Sequence, residues 1–150
     1  MRHYQKIILF FISALLGSCF KQGQSSTSKT SSSSTSIKSL DYGDFKDCFL
    51  FYSNIFSVDK EKYYVYFFSK TCGHCNNLKS FVLSKVIDKD IYLVESSEEV
   101  IFKEDVSSTI GLTSIEGFGI LGYPSLIEIK EKIITKNIGG ISLIRSELTN

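Results

Sequence analysis

The sequence has no excess of either charge. Its 17 Lys and Arg face 16 Asp and Glu, for a formal charge of +1. That removes any bulk electrostatic case for a nucleic-acid partner. Proline is nearly missing, with Pro124 the only one in 150 residues, and Trp is absent. The sequence also lacks a membrane-length apolar run. Ile7 to Leu16, broken only by Ser13, stops well short of the roughly 20 residues a bilayer span needs. No internal repeat is visible. What remains is 43% hydrophobic and 22% charged residues, which suits a globular core. The length fits one domain with appendages.

The N-terminus reads as a targeting segment. Arg2 and Lys6 form a charged start, and Ile7 to Leu16 supplies an apolar stretch of signal-peptide length. Leu16-Gly17-Ser18-Cys19 closes it and resembles the lipobox of bacterial lipoproteins. That resemblance implies cleavage after residue 18 and acylation of Cys19. An ordinary cleaved signal and an uncleaved anchor are the alternatives, and all three place the domain outside the cytoplasm. Dithiol and disulfide forms can both persist there. Removing residues 1–18 leaves 15 basic against 16 acidic residues, so membrane attachment would rest on the lipid rather than on a polybasic patch. Eleven of the 12 residues from Ser25 to Ser36 are Ser or Thr. With nothing apolar to bury, segment 19–39 is expected to be a disordered tether, spanning about 25 Å as a flexible coil.

The globular domain is expected over residues 40–150. Asp44 is placed to cap a helix running to about Phe56, with Phe45, Cys48, Phe49, Tyr52 and Phe56 at helical spacing. Tyr63 to Phe68 is apolar throughout, as in a strand buried on both faces. Leu78, Phe81, Val82 and Val86 mark one face of a helix within Asn76 to Asp88. Ile91 to Val94 reads as a second strand, and Ser97 to Ser107 as a further helix. Ser125–Ile129 and Lys132–Ile138 read as a hairpin turning at Lys130-Glu131. Ile141 to Leu148 reads as a last helix with Ile141, Ile144 and Leu148 on one face. The early strand–helix–strand unit implies a parallel pair and the late hairpin an antiparallel one, so the sheet is mixed.

Cys72-Gly73-His74-Cys75 sits where the buried strand passes into a helix. A thiol at a helix N-terminus meets unpaired N–H groups and the positive end of the helix dipole. Both favour the thiolate, the form that attacks disulfides. An inert disulfide and a metal site are the other readings of such a pair. Zinc usually takes four ligands, and the chain retains only Cys48, Cys72, Cys75 and His74 besides Cys19. His74 is trapped inside the Cys-x-x-Cys loop, poorly placed to share the same ion. A c-type haem motif needs His after the second Cys, where Asn76 stands. Cys48, on an apolar helix face, reads as a small buried residue, with a regulatory or intermolecular disulfide as the alternative.

The element order, with Cys-Gly-His-Cys after the first strand and Pro124 before the hairpin, resembles the thioredoxin fold: an α/β three-layer sandwich with a mixed central sheet. The tetrapeptide matches that of protein disulfide isomerase domains, and Gly122-Tyr123-Pro124-Ser125 is similar to their Gly-Tyr-Pro-Thr segment. The resemblance covers roughly Asp44 to Leu148. It implies a cis bond at Pro124 facing the cysteines, with a trans Pro opening a strand as the alternative. It further implies Cys72 as nucleophile and Cys75 as resolving thiol, with His74 stabilising the thiolate. Tyr123 and Gly73 would meet the substrate. The reduction potentials of thioredoxin and isomerase cysteine pairs differ by about 90 mV, on the order of 4 kcal/mol, and His74 points to the isomerase end.

Three positions depart from that pattern. Tyr66 stands where many relatives carry a buried acid beneath the resolving thiol, Thr71 where many have Trp, and Ser80 where many have Pro. The missing acid leaves the proton acceptor for Cys75 unassigned. The expected protein is a membrane-tethered, extracytoplasmic thiol–disulfide oxidoreductase acting on cysteine pairs of exported proteins, with oxidase or isomerase activity favoured. Reductase work would need a membrane redox partner. A monomer without metal, organic cofactor or nucleic-acid partner is expected. The alternative is a lipoprotein binding module holding a peptide beside a structural disulfide.

Overall fold

The computed structural model describes residues 39–150. The expected signal segment, Cys19 and the Ser/Thr-rich run 25–36 lie outside the described residues. Four strands form one sheet: β1 (Lys62–Phe68), β2 (Ile91–Glu95), β3 (Ser125–Lys130) and β4 (Ile133–Gly139). Their order is β2-β1-β3-β4. β1 runs parallel to β2, with Val65 opposite Tyr92, and antiparallel to β3, with Val65 opposite Ile127. β3 and β4 pair as an antiparallel hairpin. Two helices complete the frame, α1 (Gly73–Lys85) and α2 (Ile141–Thr149).

β1 is the middle of the molecule, and Tyr63 through Phe68 are all buried, as the apolar run requires. Side chains alternate across a strand, so this one strand serves two cores. Tyr64, Tyr66 and Phe68 pack with Leu78, Val82 and Val86 of α1 and its end and with Ile144 and Leu148 of α2. Tyr63, Val65 and Phe67 pack on the opposite face with Val94, Phe118, Ile120 and Ile127. Full burial of each such large apolar side chain is worth roughly 1.5–3 kcal/mol relative to exposure. The Leu78, Val82, Val86 spacing and the Ile144, Leu148 spacing fall on the core-facing sides of their helices, as expected. Cys48 is buried in the first core.

Three local expectations are corrected. The helix expected from Asp44 to Phe56 is two 3-10 turns, Tyr42–Cys48 and Tyr52–Asn54. Asp41 is the cap: its carboxylate accepts from the Gly43 N–H at 3.2 Å, while the Asp44 carboxylate accepts from the Asp41 N–H at 2.9 Å. Phe49 interrupts the helix because it is recruited as an extended bridge beside Leu93, and the Leu50 N–H donates to the Leu93 carbonyl at 2.9 Å. This covers the open edge of β2.

The helix expected over 97–107 is also absent. Phe102 bridges to Ile120, with Lys103 N–H donating to the Ile120 carbonyl and Ile120 N–H to the Ile101 carbonyl, each at 2.9 Å. Only Ser107–Thr109 makes a 3-10 turn there. The layer on that face is therefore built of turns and extended chain. Gly119 permits the close approach, since a Cβ there would lie 3.0 Å from the Ile101 carbonyl oxygen and 2.9 Å from the Lys103 side chain. Finally, the hairpin turn is Glu131-Lys132, one residue later than expected. Both residues have positive φ, 51° and 65°, as a two-residue turn matching strand twist demands.

Candidate functional site

The end of β1 delivers the cysteines. After Phe68 the chain turns at Ser69, whose carbonyl accepts from the Cys72 N–H at 3.2 Å. The Ser69 and Thr71 hydroxyls lie 3.0 Å apart, and the Asn76 amide donates to the Lys70 carbonyl at 3.4 Å. These short-range bonds fix the loop from which α1 starts. Cys72 is the N-cap, with extended backbone, and its sulfur accepts from the Cys75 N–H at 3.2 Å. The nucleophile candidate thus takes the place that Ser or Asp usually fills at a helix start, satisfying one of the unpaired N–H groups.

The second half of the site comes from the segment entering β3. The Tyr123–Pro124 bond is cis, as the resemblance implied. The Cys72 thiol lies 3.5 Å from the Tyr123 carbonyl and can donate to it. Two bonds hold this segment: Ser125 hydroxyl to the Gly122 carbonyl at 2.7 Å, and Gly140 N–H to the Pro124 carbonyl at 3.0 Å. An open depression of about 320 Å³ lies alongside, lined by Leu121, Gly122, Tyr123, Pro124, Gly139 and Gly140.

Cys72 and Cys75 are free thiols, so the site stands in the dithiol form. Cys72 is partly exposed and Cys75 fully buried. Burial pushes the Cys75 thiol up to about 12, and its contact with Cys72 adds to the effect. Gly73 and His74 are exposed in the first turn of α1. A Cβ on Gly73 would meet nothing within 4 Å, so packing does not demand glycine there. The structure therefore brings Cys72, Cys75, Tyr123 and Pro124 together and leaves His74 and Gly73 on the solvent side.

Two neighbours were not identified from sequence. Phe102 is exposed and packs edge-on against Tyr123, with ring centroids 5.3 Å apart. Tyr42 reaches the thiol region through Phe68: its ring stacks there with centroids 3.9 Å apart, and Tyr66 stacks on Phe68 at 5.9 Å. Among the described residues, the hydroxyls of Tyr42, Tyr66 and Tyr123 are buried without a hydrogen-bond partner. Among the described residues no group of three or more His, Cys, Asp or Glu could hold a metal ion. No helix among them is long and apolar enough to cross a membrane.

A parallel β1–α1–β2 unit joined to the β3–β4 hairpin and closed by α2 gives the chain a thioredoxin-like α/β fold. The paired cysteines sit at the head of α1, and the cis proline opens β3. No protein-family model matches the sequence, and no curated protein matches it. Among solved structures, thioredoxin f from spinach chloroplast (long form) is similar with a TM-score of 0.46 at 13% identity, over 67% of this chain and 80% of that one. Thioredoxin f2 of Chlamydomonas reinhardtii gives 0.42 at 12% identity, over 67% and 90%. Thioredoxin O2 of Arabidopsis thaliana, in its oxidized state, gives 0.39 at 13%, over 68% and 90%.

Proposed function

We propose that this chain is a thiol–disulfide oxidoreductase, tethered through acylated Cys19 to the outer face of a bacterial membrane and acting on cysteine pairs of exported proteins. The observation that carries the chemistry is the Cys72 sulfur, capped by the Cys75 N–H at 3.2 Å, partly exposed, with buried Cys75 one turn behind it. Cys72 thiolate attacks one sulfur of a substrate disulfide. A Cys72–substrate S–S bond forms, the substrate S–S bond breaks, and the departing sulfur takes the electron pair and then a proton. Cys75 next attacks the Cys72 sulfur, forming the Cys72–Cys75 disulfide and releasing the second substrate thiol. The two protein thiols are oxidised as the substrate disulfide is reduced; the reverse sequence oxidises a substrate dithiol.

His74 favours the oxidising direction in this reading. It lies in sequence between the two cysteines, and an imidazole N–H that turned from solvent to donate to a thiolate would stabilise the reduced form. The Tyr123 backbone beside Cys72 supplies an edge along which an extended substrate segment can pair. The tether reading rests on Leu16-Gly17-Ser18-Cys19 and the Ser/Thr-rich run after it.

Cys75→Ser tests the chemistry. It removes the resolving thiol, so covalent adducts through Cys72 should accumulate with a reducible protein substrate, and a further Cys72→Ser change should abolish them. If reduced wild-type protein exchanges with no disulfide substrate, the redox reading fails. Partner capture that persists in the double Ser variant would mark a binding module instead. Mass analysis of the mature N-terminus should find acylated Cys19, and an unmodified mass would sink the tether.

A further inference from the structure

A second depression lies where the Phe49 bridge meets the end of β2, and none of the thiol-site residues lines it. It measures about 570 Å³, within the roughly 300–1,000 Å³ of ligand-holding clefts. Phe49, Phe51 and Tyr52 belong to its apolar lining, and Glu95, Glu98 and Glu99 line it from the chain leaving β2. Phe51 is 77% exposed, more than any other large apolar side chain among the described residues. Its backbone is nevertheless fixed. On one side the Leu50 N–H donates to the Leu93 carbonyl at 2.9 Å, and on the other the Phe51 carbonyl accepts from the Asn54 N–H at 3.0 Å. The acidic side is pinned too, since the Ser96 N–H donates to the Phe68 carbonyl at 2.8 Å. An exposed aromatic on a fixed backbone leaves its burial to be gained on binding, at little cost in ordering.

The charge here selects the occupant. The Lys70 ammonium neutralises Glu95 at 2.9 Å. Glu98 and Glu99 are exposed and make no ion pair among the described residues. A neighbouring depression of about 350 Å³ shares Phe49 and Glu95; there Lys46 and Lys70 stand with Asp41 and Glu95. The uncompensated negative charge therefore lies at the Glu98 and Glu99 end. We propose that this cleft docks a basic segment of a protein partner, with an apolar side chain of the segment against Phe49 and Phe51 and a neighbouring Lys or Arg reaching Glu98 and Glu99. A Lys or Arg stem covers apolar surface while its charge stays wet, and its cation is attracted to an aromatic face. An acidic segment would meet two like charges. A second copy of this chain, docked through a two-fold axis on this patch, would bring the same carboxylates towards each other. The proposal stands without the exchange reading, because the cleft and the thiol site share no residue.

The test uses the whole chain and a fluorescent, acetylated and amidated peptide, Lys-Phe-Lys-Phe-Lys, followed by anisotropy at low and high salt. One control peptide carries Glu for every Lys, and another Ala for every Phe. The first peptide alone should bind well at low salt, and salt should weaken it. Phe51→Ala should reduce its affinity roughly fivefold to tenfold. Glu98→Gln combined with Glu99→Gln should reduce it about tenfold at low salt and remove most of the salt dependence. All three side chains are exposed, so these variants should keep the fold. On wild type, amide shifts caused by the peptide should concentrate in residues 49–52 and 94–99. No binding by wild type, equal binding of the acidic peptide, affinity unmoved by the variants, or shifts centred elsewhere overturns the proposal. So does a concentration-dependent dimer abolished by Phe51→Ala, which would mark the face as self-associating.

Discussion

Lowering the pH should weaken this fold through one residue, Glu128. It lies on β3 with its side chain only 8% exposed. The Lys62 ammonium is 2.7 Å from its carboxylate and that of Lys136 3.7 Å. The Thr135 hydroxyl donates at 2.7 Å, and the Tyr64 hydroxyl lies 3.0 Å from both the Glu128 and Glu147 carboxylates. Burial alone would push the Glu128 carboxyl up. Hydrogen bonds from Lys62, Thr135 and Tyr64, with the charge of Lys136, outweigh that and hold it at about 2, against 4.5 unperturbed. A carboxyl depressed on folding contributes stability that is complete above its unfolded value and is lost as pH falls through its folded value. The difference corresponds to about 3 kcal/mol, present above roughly pH 4.5 and gone below roughly pH 2. For a domain of ordinary stability that is a large share. Denaturant titrations at pH 7, 5, 4, 3 and 2, on wild type and Glu128→Gln, should show the gap. The variant should lose on the order of 2–3 kcal/mol at pH 7 and converge with wild type near pH 2. Parallel curves with a constant gap would refute the reasoning, because the loss would then come from packing rather than charge.

Two further outcomes follow from backbone geometry. Gly119→Ala should destabilise by about 1–3 kcal/mol, read as a lower denaturation midpoint, because its Cβ would press on the Ile101 carbonyl inside the Phe102–Ile120 bridge; an unchanged midpoint would show that the bridge yields freely. Glu131→Asn, at φ 51° in the hairpin turn, should raise stability by about 0.5–1 kcal/mol, since Asn tolerates the left-handed region better than Glu. A fall in melting temperature would count against that account of the turn.

Much of the site was legible in the sequence because it is local. The cysteine spacing after a fully apolar strand sets Cys72 at a helix start, and the single Pro124 stands immediately before the hairpin strand. β1 and the core faces of α1 and α2 were equally legible, since apolar period alone decides them. The two helices that failed to form share one physical cause, tertiary pairing that overrides local pattern. Phe45, Cys48, Phe49 and Tyr52 mimic helical spacing, yet Phe49 is drawn into an extended bridge at Leu93. The 97–107 segment has a fair helix cap in Ser97, but Phe102 pairs with Ile120, and Gly119 makes room for it. Tyr42 could not be placed at the site from sequence, because it arrives there by stacking on Phe68, 26 positions along the chain.

The unequal exposure of the two sulfurs has a consequence for timing. Under the proposed exchange, a partner held covalently at Cys72 is discharged by Cys75, which is already in place, whereas an external thiol must first find its way to a half-covered sulfur. The lifetime of the captured complex is then set chiefly by how often one buried group ionises, and far less by the concentration of thiols in the surroundings. A protein working in a compartment with few free small thiols would keep its own release clock.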